Sequence, residues 1–212
     1  MLAVNKPVNM PVQEDSSGDL DLLNALKNFI KVRDEKPGNV YLALLHRLDR
    51  PTSGAMIFAK TSKAASRLSD QFRKNEIKKT YFAVVRSTSL KSKSTLTDYL
   101  YKNRDKNQSY VVDKNHDKAK KAILDYEVLD THRDLSLVKI NLITGRPHQI
   151  RVQFAHIEAP LYGDQKYANK KNKTGQQLAL FAKDITFSHP TKKELITVTA
   201  PLPEGNPWSL FK

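Results

Sequence analysis

An α+β fold is expected for this chain of 212 residues. Short apolar segments outnumber amphipathic helical ones, most neighbouring segments lie close enough for antiparallel pairing, and no internal repeat or obvious linker divides them. The expected architecture is one domain over residues 1–212, built on a mixed, mainly antiparallel β-sheet flanked by helices and loops.

Leu2 to Pro7 reads as the end of a strand entering a loop. Asp19 to Arg33 is expected to be a helix, with Leu22, Leu23, Leu26, Phe29 and Ile30 at helical spacing and acidic residues in its first turn. Lys36-Pro-Gly38 breaks it, and the apolar stretch Val40 to Leu45 follows. Beyond the polar loop His46 to Gly54, Ala55 to Ala59 reads as a buried strand. Thr61 can cap a second helix whose Ala64, Ala65, Leu68 and Phe72 share a face. Thr80 to Val85 is a strand, and Tyr99 to Tyr101 with Tyr110 to Val112 form the arms of a hairpin. Ile123 to Leu129 and Leu135 to Ile143 are strands joined by a turn at Asp130 to Asp134. Gly145-Arg-Pro147 introduces a helix with Pro147 in its first turn and Ile150, Phe154 and Ile157 on its apolar face. Residues 163–176 form a basic loop, and Leu178 to Phe187 and Leu195 to Thr199 are the last strands.

Composition narrows the function. The chain has no cysteine, which excludes disulfides, thiol catalysis, thiolate zinc sites and iron–sulfur clusters. No apolar stretch approaches bilayer length and the start does not read as a signal peptide, so a cytoplasmic protein is expected, with no membrane partner. The formal net charge is +14. Residues 1–60 hold 8 basic and 7 acidic side chains, leaving 28 against 15 in the remainder. A surplus of that size favours a polyanionic partner, because Lys and Arg release condensed counterions on meeting phosphates.

The densest polar constellation is His46-Arg-Leu-Asp-Arg-Pro-Thr-Ser-Gly54, a short loop between two apolar stretches. Such a loop on a firm scaffold is a useful place for a reactive side chain. Asp49, flanked by arginines, should stay ionised and can serve as nucleophile or base. By residue types alone, a loop in which Asp49 caps a turn and pairs with an arginine is the commoner arrangement.

The order of motifs changes that balance. His46-Arg-Leu-Asp49 followed by Thr52-Ser-Gly54 resembles the signature loop of the RluA-type pseudouridine synthases. Lys79-Thr-Tyr81-Phe-Ala-Val84 resembles the segment that supplies that family's active-site tyrosine. Thr144-Gly-Arg-Pro-His-Gln-Ile-Arg151, continuing to Leu161-Tyr-Gly-Asp164, resembles the motif supplying a basic partner for the catalytic aspartate. Asn5-Lys-Pro7 and Phe187-Ser-His-Pro190 also match, so the resemblance covers nearly the whole chain. Two positions depart from it: Gln153 stands where relatives commonly have His, and many relatives also have His near Phe181.

The resemblance implies isomerisation of uridine to pseudouridine in rRNA or tRNA by one catalytic domain acting as a monomer. It implies neither cofactor nor metal, and no separate N-terminal RNA-binding domain is expected in this chain. Asp49 is then the essential carboxylate, attacking either the ribose anomeric carbon or the uracil ring, or assisting departure of the base. Tyr81 stacks on the base, and Arg151 pairs with Asp49. Arg47 enters the space left by the flipped uridine, and His46, Arg50, Arg146, His148, Lys102 and Arg104 are further candidate RNA contacts. Residues 99–121 interleave tyrosines with basic residues, and either grip RNA or form a solvated hairpin. Two rival functions are a non-catalytic RNA-binding protein on the same fold and a nucleoside hydrolase using Asp49.

Overall fold

Period-two alternation and short apolar runs become strands, while the segments with helical spacing become helices. The computed structural model describes residues 1–168 and 171–211, and the α+β class is as expected from the sequence. By contacts the chain falls into two compact units: Met1–Lys78 with Ala182–Pro201, and Lys79–Phe181 with Leu202–Lys212. Asn169 and Lys170, part of the expected basic loop, lie outside the described residues.

In the first unit, β1 (Leu2–Lys6) and the short β2 (Ala43–Leu44) both pair antiparallel with β3 (Ser53–Ala59). From Gly54 to Ala59, β3 is buried throughout, which explains its unbroken apolar run. The expected helix is α1 (Leu22–Arg33), which begins at the first residue of its apolar spacing, three residues after the expected start at Asp19. Asp21 is its N-cap and not part of its first turn, with a side-chain oxygen accepting from Asn24 N at 3.0 Å. Its buried stripe is narrow: Leu22 and Ile30 are buried, whereas Phe29, expected on the apolar face, is 54% exposed. In α2 (Ser62–Arg73), Thr61 caps as expected, accepting from Ala64 N at 3.2 Å.

The C-terminal part of this unit supplies β9 (Leu180–Ser188), mostly, and β10 (Leu195–Thr199), which pair antiparallel. Gln71 of α2 exchanges two hydrogen bonds with the backbone of Ser188, each 2.9 Å, and Arg67 donates to the carbonyl of Pro190 at 2.6 Å. The Ser-His-Pro segment is thereby a docking edge for α2.

The second unit is an antiparallel succession in the order β4-β8-β7-β5-β6. Its strands are β4 (Lys78–Val85), β5 (Lys93–Asn103), β6 (Gln108–Val112), β7 (Lys120–His132) and β8 (Leu135–Leu142). β5 runs well beyond the expected hairpin arm, because its N-terminal half finds a full-length partner in β7. Helix α3 (Gln149–His156) lays Phe154 against Tyr126 of β7, ring centroids 5.4 Å apart. Each such buried aromatic contributes about 2–3 kcal/mol through removal from water.

Pro147 is not in the first turn of α3, as the sequence suggested. His148 takes a left-handed conformation (φ 54°) as N-cap, so the helix begins only at Gln149. Gln149 Oε1 accepts from Thr144 Oγ1 (2.8 Å) and Arg146 N (3.0 Å), which holds the turn before the helix in place of a proline start. No helix among the described residues is long and apolar enough to cross a membrane.

Candidate active site

In the first unit the loop carrying Asp49 is braced by its neighbours. Asp49 is half-buried, and its carbonyl accepts from Thr52 N at 2.9 Å, closing a turn over Arg50 and Pro51. Lys6, at the end of β1, has no exposed surface, and its ammonium donates to the carbonyls of Pro7 (2.8 Å) and Arg50 (3.0 Å). Burial lowers the Lys6 pKa to about 8, against the opposing attraction of the Asp49 carboxylate. The loop leaves this turn through Gly54, at φ +123°, where a Cβ would stand 2.2 Å from the carbonyl oxygen of Ala182. Only glycine lets β3 pass β9 that closely.

The neighbours of Asp49 have distinct positions. His46 Nε2 accepts from Ile57 N at 3.2 Å and its ring stacks on Phe72, centroids 5.1 Å apart. Arg50 reaches back over residues 9–19, donating to Asn9 O and Ser17 Oγ, each at 3.1 Å, and forming an ion pair with Asp19. Arg47 is exposed.

In the second unit, Tyr81 lies in β4 opposite Ile140 of β8 and is only 8% exposed. Arg151 of α3 is buried, and its Nε and Nη2 each donate to one oxygen of Asp164 at 2.8 Å. Asp164, also buried, accepts from the backbone N–H of Lys166 (2.9 Å) and Tyr167 (3.1 Å). The turn into Asp164 needs Gly163 at φ +74°, since a Cβ there would meet Gln177 O at 2.0 Å. The Arg151 guanidinium lies 5.2 Å from the centre of the Tyr167 ring. The hydroxyl of Tyr167 bonds His148 Nδ1 at 2.6 Å and accepts from Ser109 N at 2.8 Å. His148 and Arg151 thus converge on Tyr167.

The remaining candidates are less gathered. Arg146 Nε donates to Lys121 O at 2.9 Å. Lys102 bonds Asn107 across the β5–β6 hairpin, and Arg104 is exposed near its tip. The hairpin itself is anchored: Ser109 is buried and its hydroxyl donates to Pro147 O at 2.7 Å. Among the described residues, no group of three or more His, Asp or Glu is arranged to hold a metal ion. Sequence reading gave Lys6 and Asp164 no role, although both lie inside quoted motifs. The only local signal was a charged residue in an otherwise apolar or Gly-rich stretch.

Residues 1–156 match the family model described as RNA pseudouridylate synthase. The chain belongs to that family. Among curated relatives of RNA pseudouridylate synthase type, "Ribosomal large subunit pseudouridine synthase C" of Buchnera aphidicola is 35% identical over 208 residues, covering 95% of this chain and 64% of its own length. An uncharacterised RNA pseudouridine synthase of Zymomonas mobilis is 31% identical, covering 96% of this chain and 90% of its own length. The chain therefore spans less than two thirds of the first of these relatives and most of the second. Among solved structures, human RNA pseudouridylate synthase domain containing 4 superposes with a TM-score of 0.79 at 24% identity, over 95% of this chain and 85% of the human one. That likeness shows the fold.

Proposed function

We propose that this protein isomerises uridine to pseudouridine in structured RNA, with rRNA the first expected substrate and tRNA the second. The observation carrying the proposal is the family match over residues 1–156, which includes the motifs around Asp49, Tyr81 and Arg151. The name of the Buchnera relative, a large-subunit synthase, favours rRNA.

In this reading both units belong to one catalytic domain, and Asp49 is the essential carboxylate. The target base leaves the helical stack at a cost of a few kcal/mol. The bond from N1 to the ribose breaks, the uracil turns, and a bond forms from C5; the C5 proton is lost and N1 gains one. Tyr81 stacks against the base, Arg151 orients Asp49, and Arg47 fills the vacated stack through its planar guanidinium. His46, Arg50, Arg146, His148, Lys102 and Arg104 are the other proposed RNA contacts, and the enzyme acts as a cytoplasmic monomer without a cofactor. The Lys6 clamp and the Asp164 fork support the reading, since each immobilises a side chain or loop that this chemistry needs held still.

The test is chemical mapping of pseudouridine in unmodified rRNA and tRNA transcripts after incubation with wild type or Asp49→Asn. New pseudouridine with wild type alone is expected. Equal modification by both proteins would refute the role of Asp49, and RNA binding without modification by wild type would favour a binding protein.

A further inference from the structure

Lys79 is a half-buried charge that the mechanism above leaves unused. It sits two residues before Tyr81 in β4, so alternation places the two side chains on the same face of the strand. Its side chain is half-buried, and burial lowers its pKa from the ordinary lysine value with no neighbouring carboxylate to offset the loss of water. No hydrogen bond or ion pair engages its ammonium among the described residues. By contrast Lys6, which is fully buried, has two carbonyl acceptors.

The ammonium also has a defined place. A Cβ added to Gly145 would lie 3.3 Å from Lys79 Nζ, so this glycine leaves room for the charge beside the turn carrying Arg146 and His148. The neighbouring cation Arg146 is tied by its Nε to Lys121 O. A partly desolvated ammonium with no counter-charge is unfavourable, and an incoming anion relieves it. The full negative charges on RNA are its phosphates.

We propose that Lys79 binds a phosphate, its ammonium donating to a non-bridging oxygen of the RNA strand next to the target uridine. This rests on the synthase reading and adds to it a fixed point on the backbone beside Tyr81. Phosphate contacts set register without reading sequence, so Lys79 positions the strand and leaves choice of uridine to other residues.

The experiment compares wild type, Lys79→Met and Lys79→Arg on an unmodified transcript of bacterial large-subunit rRNA. It measures kcat and KM for pseudouridine formation, and the salt dependence of RNA affinity by filter binding. Lys79→Met is expected to raise KM about tenfold, keep kcat within about threefold, and lower the log–log salt slope by about one, with Lys79→Arg restoring most of the affinity. The same readout comes from the substrate side through an RNA with one neutral methylphosphonate linkage flanking the uridine the wild type modifies. At the contacted linkage, wild type should lose about tenfold in affinity and Lys79→Met nothing further. An unchanged KM and slope for Lys79→Met, or additive losses at both flanking linkages, would overturn the proposal. So would a fall in kcat alone, which would place the ammonium on the uracil. If wild type modifies no uridine, the synthase reading itself fails and this proposal with it.

Discussion

Asp164 holds Arg151 with both of its carboxylate oxygens, each at 2.8 Å from a separate guanidinium nitrogen, inside a buried turn that also supplies two backbone N–H groups to the same carboxylate. The fork fixes the plane of the guanidinium as well as its position.

Asp164→Asn therefore removes one charge of a buried pair while keeping its volume. A loss of about 3 kcal/mol in folding free energy is expected, measured by urea denaturation. Pseudouridine formation should fall through kcat more than KM, because Arg151 would still be present but no longer held. Arg151→Lys should not rescue the function, since a lysine offers no planar fork.

Lys6 gives a pH signature. Its folded-state pKa of about 8 lies below the ordinary lysine value, so above that pH the folded chain has released a proton that the unfolded chain keeps. Stability supplied through this group rises with pH between about 8 and the ordinary lysine range. Between pH 7.5 and 9.5, wild type should gain about 1.5 kcal/mol relative to Lys6→Met, read from urea midpoints of both proteins at each pH. A constant difference would show that the burial of Lys6 carries no proton linkage.

Gly54→Ala forces a Cβ into the carbonyl of Ala182 at a backbone angle that side chains rarely adopt. Both effects act on the exit of the Asp49 loop. A destabilisation of about 3 kcal/mol or more is expected in thermal or urea unfolding, with activity lost in whatever fraction still folds.

Arg47 and Arg50 should separate cleanly despite sharing one loop. Arg50 is anchored on Asn9, Ser17 and Asp19, so Arg50→Ala should loosen residues 9–19 and raise their cleavage in limited proteolysis. The exposed ion pair itself is worth less than about 1 kcal/mol. Arg47→Glu should instead leave stability unchanged and weaken RNA affinity at least tenfold, with a shallower salt dependence.

The elements that were legible in the sequence are those specified locally. Thr61 as a cap, the apolar run of β3 and the polar loop around Asp49 each depend on a few adjacent residues. Helical spacing located α1 but did not give the width of its buried stripe, so Phe29 was placed inward while it faces solvent. The start of α3 was misplaced because the left-handed backbone of His148 depends on Gln149 gathering the preceding turn through its side chain. The pairings that build the site were the least legible. Lys6 meets the carbonyl of Arg50 across 44 positions and Arg151 meets Asp164 across 13, and no periodicity encodes a contact at such separations. The motifs contained these residues without showing what they touch.

The approach of Gly54 to Ala182 sets an order of events during synthesis. The Asp49 loop belongs to a unit whose other part, Ala182–Pro201, emerges from the ribosome more than a hundred residues later. Until then β3 lacks the backbone that its glycine is shaped to meet, and α2 lacks the Ser188 and Pro190 acceptors of its polar side chains. The nascent chain carries every residue of the Asp49 loop long before it carries the strand that fixes it. The Asp49 loop is thus fixed only once Ala182–Pro201 has been made, and a chain cut before Ala182 would carry the loop without the strand it packs on.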